Sequence, residues 1–181
     1  MLMDHDAGRV ALLELAGLLD SLSTPHFLIQ GTALGAYRDH GFTPTERDID
    51  IGILQEDFRP RFGDIAKALC DRGYEIESWS LPFDECRTLV VRLHGVKADL
   101  VGLMRRGAER FTACPVHVSI PEPYAIVHAA QLLESYETVQ LFGREFRVPC
   151  PIEQYLLMEY GPDWRTPADD HVSRTRVYGY V

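Results

Sequence analysis

Apolar side chains recur at helical spacing in two parts of the chain. Over residues 6–22, leucine and valine repeat every three or four positions until Ser23-Thr24-Pro25, which predicts an amphipathic helix that ends there. Residues 58–69 show the same spacing and precede Gly73, a residue type that commonly ends helices. We therefore expect one amphipathic helix at the start of the chain and a second one further along.

Short apolar runs and alternating patterns predict strands around and beyond these helices. Residues 27–29 form a brief apolar run, and residues 48–54 alternate acidic or small residues with isoleucine. Further strands are expected at residues 74–78, 88–93, 97–103 and 116–120, with hairpins around His94-Gly95 and across residues 139–148. Residues 124–133 are expected to form a helix. Helices and strands are thus mixed along the chain.

A glycine turn follows the first short strand. The strand ends at Gly31, and Thr32 is expected to cap a brief helix that runs to Tyr37. Backbone N–H groups and the helix dipole at such a helix start favour a phosphate group. Gly31 and Thr32 are therefore predicted to contact the phosphates of a ligand.

Two aspartates share one face of the strand predicted at residues 48–54. Asp48 and Asp50 stand two positions apart, which places their Cα atoms about 6.5 to 7 Å from each other in a strand. Carboxylates at that spacing can bind one or two cations that prefer oxygen ligands. The alternative is an ordinary acidic pattern on the solvent face of an edge strand.

A third carboxylate, Asp99, lies in the otherwise apolar run Ala98-Asp99-Leu100-Val101. An aspartate there is costly unless it is exposed or paired with a cation. The alternative is that it projects from the wet face of a hairpin. Together, three carboxylates from neighbouring strands could clamp the cations that phosphoryl and nucleotidyl transfer use.

Composition and charge indicate how many domains and which kinds of partner to expect. With 181 residues, of which 46% are hydrophobic, the chain is long enough for one globular domain over residues 1–181. A net charge of −9 argues against nucleic-acid partners and suits a site that collects divalent cations.

The sequence has no long apolar run and an acidic start, so we expect no membrane insertion and a cytoplasmic location. Four cysteines without a C-x-x-C pair predict reduced, mostly structural thiols.

Two separated motifs resemble a known family. The run from Gly31-Thr32-Ala33-Leu34-Gly35-Ala36-Tyr37-Arg38 to Asp48-Ile49-Asp50-Ile51 is similar to the signature of LicD and fukutin-related proteins. The likeness returns near the C-terminus in Val148-Pro149, in Tyr155-Leu156 and in Tyr160-Gly161-Pro162-Asp163-Trp164-Arg165-Thr166-Pro167. It therefore covers most of the chain and is weakest between Gly102 and Phe142.

The resemblance implies an α+β fold of the nucleotidyltransferase superfamily, with a mixed central sheet flanked by helices. It implies that Asp48 and Asp50 hold a divalent metal, Mg²⁺ or alternatively Mn²⁺, and that Asp99 is the third carboxylate. The implied reaction transfers a phospho-alcohol, such as phosphocholine, from a cytidine diphosphate donor to a glycan hydroxyl. Where the family usually reads Pro-Trp-Asp-Asp-Asp-Ile-Asp, this chain lacks the tryptophan and two acids, while Glu46 keeps one charge and is expected near the substrate.

Other polar and aromatic residues near these motifs have two interpretations each. Arg38 could bind a donor phosphate as a bidentate fork, or could pair with Asp39. Trp164 and Tyr160 could stack on a base or fill a gap in the core. His40 could assist proton transfer, or could be a solvated loop residue.

The predicted function is a metal-dependent transferase that uses a nucleotide donor and a sugar or other small acceptor. Attack on the phosphate distal to the nucleoside would transfer a phospho-alcohol, whereas attack on the α-phosphate of a nucleoside triphosphate would transfer a nucleotidyl group. One rival is a non-catalytic protein that binds a nucleotide or metal. Another is a nucleotidyltransferase that modifies a protein, a tRNA end or a small molecule such as an antibiotic, although the acidic balance argues against RNA.

Overall fold

The computed structural model describes residues 2–80, 88–113, 124–167 and 177–179. Its α-helices, within these ranges, are α1 (His5–Ser21), α2 (Gln30–Leu34), α3 (Gln55–Asp71) and α4 (Ile152–Tyr160). Its strands are β1 (Phe27–Leu28), β2 (Asp48–Leu54), β3 (Glu75–Ser80), β4 (Thr88–Leu93), β5 (Val96–Arg106), β6 (Glu109–Ala113), β7 (Tyr124–Ala129), β8 (Tyr136–Leu141), β9 (Arg144–Pro149) and β10 (Val177–Gly179). A π-helical turn, Gly35–Asp39, extends α2 towards β2.

Eight of the strands form one mixed sheet. Strands pair in the order β1-β2-β5-β6-β7-β10, and the long β5 also pairs with β4, which in turn pairs with β3. The β2–β5 pair is parallel, whereas the other pairs are antiparallel. Strands β8 and β9 form a separate hairpin. The expected α+β fold with a mixed central sheet and flanking helices is confirmed.

One face of the β2–β5 pair lies in the hydrophobic core. Ile49, Ile51 and Ile53 of β2 are fully buried, and they belong to the same apolar cluster as the inward-facing side chains of α1 and α3. In α1 the cluster includes Leu12 and Leu15. Because side chains alternate along a strand, the other face of β2 carries its aspartates. The core therefore fixes the strands on which the acidic residues stand.

Most of the predicted elements are confirmed. The opening helix and the helix expected at residues 58–69 are α1 and α3, and Gly73 has a positive φ of 84° just after α3. The hairpin around His94-Gly95 joins β4 to β5, and Gly143 lies in the turn between β8 and β9.

No helix in the described ranges has the length and hydropathy to cross a membrane.

Two local predictions are wrong. Residues 124–133 are not a helix, because 124–129 form β7, which pairs with both β6 and β10, and 130–132 form a 3₁₀ turn. Thr32 does not cap α2, since the helix begins at Gln30 and Ile29 occupies the capping position.

Two predictions lie partly or wholly outside the described residues. The strand expected at 116–120 is not covered, and neither are Cys86 and Cys114. Of the remaining cysteines, Cys70 is exposed and Cys150 is partly buried, and both are free thiols.

Candidate active site

Strand register brings the predicted carboxylates together. In the parallel β2–β5 pair, Asp50 lies directly beside Asp99, and Asp48 lies directly beside Lys97. Residues that pair across neighbouring strands point to the same face of the sheet. All four side chains therefore share the face opposite the buried isoleucines.

Glu46 joins the two aspartates of β2 in an acidic cluster. Glu46, Asp48 and Asp50 each offer one carboxylate oxygen, and these oxygens all lie within 4.8 Å of one another. Glu46 and Asp50 are 7% exposed, while Asp48 reaches the surface. Carboxylate oxygens are the ligands that Mg²⁺ and Mn²⁺ prefer, so the donor set fits a divalent ion. Asp99 is not a member of this cluster, and its expected role as a metal ligand stays a prediction.

The cluster holds more negative charge than its surroundings offset. Burial raises the pKa of Asp50 well above its ordinary value, and the nearby charges of Asp48, Asp99 and Glu46 raise it further. Burial and the charge of Asp48 raise the pKa of Glu46 to about 7. A cation a few ångströms away would favour the ionised forms instead. The electrostatics of the cluster therefore also fit a bound divalent ion.

Lys97 contributes positive charge on the same face. Its Nζ donates to Asp48 Oδ2 at 2.8 Å and to Asp99 Oδ2 at 2.9 Å. Burial alone would lower the pKa of Lys97, but the carboxylates of Asp99 and Asp48 outweigh it and raise the pKa above its ordinary value. Burial raises the pKa of Asp99 despite the opposing effect of Lys97. The other oxygen of Asp99, Oδ1, is buried and has no hydrogen-bond partner within the described residues.

The glycine turn around Gly31 lies against the acidic cluster and bonds to the backbone of Asp50. A Cβ atom added to Gly31 would lie 2.7 Å from Glu46 Oε1 and 2.9 Å from Oε2, so the absent side chain leaves room for this carboxylate. Thr32 is fully buried, and its Oγ1 accepts a hydrogen bond of 2.9 Å from the backbone N–H of Asp50. The N–H of Ile29 donates to the carbonyl oxygen of Asp50. The turn thus fixes the position of Asp50, while the expected phosphate contacts of Gly31 and Thr32 stay predictions.

Arg38 connects the turn after α2 to the C-terminal motif. Its Nε and Nη2 donate to the two carboxylate oxygens of Asp39 at 2.8 and 2.7 Å, and its Nη1 donates to the carbonyl oxygen of Trp164 at 3.0 Å. The interpretation that Arg38 pairs with Asp39 is confirmed. A contact between Arg38 and a donor phosphate stays a prediction.

Aromatic residues of the C-terminal motif are packed inside the protein. Trp164 is buried, and its ring lies 5.9 Å from that of Tyr37, centroid to centroid. Tyr160 is also buried. Both observations support the packing interpretation, and a stacking contact of Trp164 with a base stays a prediction. His40 is exposed, in a left-handed conformation with φ of 52°.

The roles of Lys97 and Tyr155 beside the acidic cluster were not predicted from the sequence. The signal for Lys97 was present, because a lysine two positions before Asp99 in a strand must share its face. No local pattern indicated the contact of Tyr155, whose hydroxyl accepts a hydrogen bond of 2.9 Å from the N–H of Gln30, 125 residues earlier in the chain. The contact places α4 against the glycine turn.

Comparison with known proteins supports the family resemblance. Residues 23–89 match the LicD/FKTN/FKRP nucleotidyltransferase domain. The mouse ribitol-5-phosphate transferase FKTN is 27% identical over 158 residues, which cover 86% of this chain and 33% of the relative. An uncharacterized protein of Caenorhabditis elegans is 26% identical over 171 residues, covering 92% of this chain and 44% of the relative. The chain therefore spans between a third and a half of the length of these relatives.

Solved structures share the fold. The solution structure of the antibiotic-resistance factor ANT(2'')-Ia superposes with a TM-score of 0.57 at 13% identity, covering 92% of this chain and 77% of that one. A protein of Thermotoga maritima described as a nucleotidyltransferase gives a TM-score of 0.52 at 12% identity, covering 85% and 84% of the two chains. At such identities the likeness shows the fold alone.

Proposed function

Because residues 23–89 carry the confirmed resemblance to the LicD and fukutin-related transferases, we propose that this chain is a metal-dependent transferase. It moves a phospho-alcohol from a cytidine-based nucleotide donor to a hydroxyl group of a sugar or other small acceptor. The observation that carries the proposal is the cluster of Glu46, Asp48 and Asp50, whose carboxylate oxygens lie within 4.8 Å of one another inside the family match.

Glu46, Asp48 and Asp50 would hold Mg²⁺ or, in its place, Mn²⁺. When bound, such an ion offsets the negative charge of the donor's diphosphate and of the leaving nucleotide. Thr32 and Ile29 keep Asp50 in position through its backbone N–H and carbonyl groups. Phosphoryl transfer depends mostly on positioning and charge stabilisation, and the rigid attachment of Asp50 serves both.

Asp99 is suited to receive the proton of the acceptor. Its Oδ2 is held by Lys97, whereas its buried Oδ1 has no hydrogen-bond partner within the described residues. A raised pKa makes this carboxylate a stronger base than an exposed aspartate. In the proposed step the acceptor oxygen bonds to the distal phosphorus, its proton passes to Asp99, and the bond from that phosphorus to the cytidine monophosphate leaving group breaks.

The donor side of the site is assigned to the residues of the family motifs. Gly31 and Thr32 lie beside the acidic cluster and are proposed to contact the donor phosphates. Arg38 and Trp164, which are joined by a hydrogen bond of 3.0 Å, are proposed to border the nucleotide. Among the relatives, FKTN is named a ribitol-5-phosphate transferase, and a phosphorylated sugar alcohol is therefore one group worth testing here.

Two alternatives would use the same cluster. Nucleotidyl transfer from a nucleoside triphosphate would release pyrophosphate, and the shared fold of ANT(2'')-Ia makes it the second candidate. A protein that binds metal and nucleotide without catalysis would release neither product. The presence of Glu46, Asp48, Asp50 and Asp99 on one side of the sheet argues for catalysis.

A donor panel tests the proposal. The protein is incubated with CDP-choline, CDP-ribitol or CTP, in Mg²⁺ or in EDTA, together with a mixture of simple sugars and sugar alcohols. We expect Mg²⁺-dependent release of cytidine monophosphate from a CDP-alcohol, measured by chromatography. Pyrophosphate release from CTP would favour nucleotidyl transfer instead, and metal-dependent binding without either product would favour the non-catalytic alternative.

A further inference from the structure

One basic side chain stands among the carboxylates of the β2–β5 face. Lys97 precedes Asp99 by two residues and pairs with Asp48 in the parallel register. Its Nζ lies 2.8 Å from Asp48 Oδ2 and 2.9 Å from Asp99 Oδ2. A single ammonium group therefore joins carboxylates that belong to two different strands.

Asp48 takes part in two sets of contacts. Its Oδ2 accepts the hydrogen bond from Lys97, and its carboxylate also belongs to the cluster with Glu46 and Asp50. Sites that use two metal ions place them about 3.5 to 4 Å apart with oxygen ligands between them. Asp48 resembles such a shared ligand, because it belongs to the acidic cluster and also bonds to the ammonium group of Lys97.

We propose that the ammonium group of Lys97 takes the place of a second metal ion. The site consequently binds a single divalent ion, at Glu46, Asp48 and Asp50. This inference rests on the proposed metal-dependent function and specifies how many ions that function uses. Lys97 is a positioning residue: it holds one oxygen of Asp48 and one of Asp99, and both oxygens are thereby withheld from a second ion.

The surroundings of Lys97 oppose its replacement by a second ion. Its side chain is 32% exposed, and its neighbours Val96 and Ala98 are buried, so the backbone at this position is fixed. A divalent ion placed between Asp48 and Asp99 would leave the ammonium group within a few ångströms of it. Repulsion at that distance is strong where solvent screening is incomplete.

Counting bound Mn²⁺ ions tests the inference on the whole chain. Equilibrium dialysis gives the number of ions per molecule, and electron paramagnetic resonance shows whether two neighbouring Mn²⁺ ions are magnetically coupled. Wild type is compared with Lys97→Met, which removes the charge, and with Lys97→Arg, which keeps it. Arg92→Met is the matched control, because Arg92 pairs with Lys97 in the β4–β5 register but bonds to Glu77 and Gly95.

We expect one Mn²⁺ ion in wild type, Lys97→Arg and Arg92→Met, and two coupled ions in Lys97→Met. Two ions in wild type would overturn the inference without any need for a variant, and so would a single ion in a folded Lys97→Met protein. Wild type that binds no Mn²⁺ would be a different failure, because it would overturn the metal centre of the proposed function itself. Circular dichroism of each variant separates loss of binding from loss of fold.

Discussion

The two faces of the β2–β5 strand pair are made from alternate residues of the same strands, yet over residues 48–51 and 97–100 they have opposite properties. One face carries apolar side chains that are at most 1% exposed: Ile49, Ile51, Ile53, Ala98 and Leu100. The other carries the charged residues Asp48, Asp50, Lys97 and Asp99. A difference of one position along the chain therefore separates the core from the candidate active site.

The comparison shows where stability and function come from in this fold. Full burial of an isoleucine stabilises a protein by roughly 1.5 to 3 kcal/mol. On the charged face, by contrast, burial raises the pKa of Asp50, so the ionised form of this carboxylate is destabilised in the folded protein. The apolar face stabilises the strands. On the charged face, holding carboxylates close together lowers that stability.

The largest expected effect is on activity, from a substitution on the charged face. Asp50→Asn keeps the shape of the side chain and removes one ligand charge, so the proposed transferase activity should fall at least about 1,000-fold, or about 4 kcal/mol in activation free energy. The free energy of unfolding should stay the same or rise, because a buried charge is removed. Product release and urea denaturation measure the two quantities.

Asp64→Asn is the matched control for this substitution, because Asp64 is an exposed residue of α3. It should leave both activity and stability unchanged. An Asp50→Asn protein with activity near that of wild type would contradict the assignment of Asp50.

The next largest effect is on stability, from a substitution on the apolar face. Ile51→Ala should lower the free energy of unfolding by about 3 kcal/mol, because it leaves a cavity among fully buried side chains. Activity per folded molecule should change little. Denaturant titration gives the stability, and a loss below about 1 kcal/mol would show that this face contributes less than its burial indicates.

The charged face should make the stability of the protein depend on pH. The pKa of Glu46 is about 7 in the folded protein, above its ordinary value of 4.5. As pH rises from 4.5 to 7, the unfolded chain releases this proton first, so the free energy of unfolding should fall by about 2 to 3 kcal/mol across that window. The raised pKa of Asp50 acts in the same direction.

Denaturation in EDTA at several pH values measures this effect. Glu46→Gln should weaken the dependence, and Mg²⁺ should stabilise wild type more at pH 8 than at pH 5.5 because it competes with protons. A stability in EDTA that rises steadily from pH 5 to 7 would contradict the electrostatic description of the cluster.

Two glycines near the site should respond differently to the same substitution. A Cβ atom at Gly35 would lie 2.6 Å from the carbonyl oxygen of Gly41 and 2.9 Å from the backbone nitrogen of Thr43, so Gly35→Ala should destabilise the fold by about 2 kcal/mol. A Cβ atom at Gly31 would meet only the flexible end of Glu46 among its nearest neighbours. Gly31→Ala should therefore leave stability within about 1 kcal/mol of wild type but weaken Mn²⁺ binding.

Thermal denaturation and Mn²⁺ titration of both variants test this contrast. Equal losses of stability, with Mn²⁺ affinity unchanged in Gly31→Ala, would show that Gly31 has no particular relation to the acidic cluster.

Much of the charged face could be predicted from the sequence, because it follows from local patterns. Alternation along residues 48–54 placed Asp48 and Asp50 on one face, and the family motif drew attention to Glu46. The neighbours of these residues depend on long-range pairing instead. The β2–β5 register sets Lys97 beside Asp48, and a single sequence does not determine register between distant strands.

The failed predictions have related physical causes. Residues 124–129 read as a helix because a short apolar run does not distinguish a helix from a strand that is paired on both sides. Thr32 was expected to cap α2, but the helix begins earlier, at Gln30. The hydroxyl oxygen of Thr32 instead accepts a hydrogen bond from the N–H of Asp50 on β2. In both cases a partner distant in sequence decided the local structure.

Anomalous diffraction from crystals grown with Mn²⁺ and CDP-choline would locate the metal ion and the nucleotide donor in one experiment. We expect one Mn²⁺ peak among the carboxylates of Glu46, Asp48 and Asp50, with the donor diphosphate against it. A peak elsewhere, or a diphosphate bound away from this cluster, would contradict the assignment of the site.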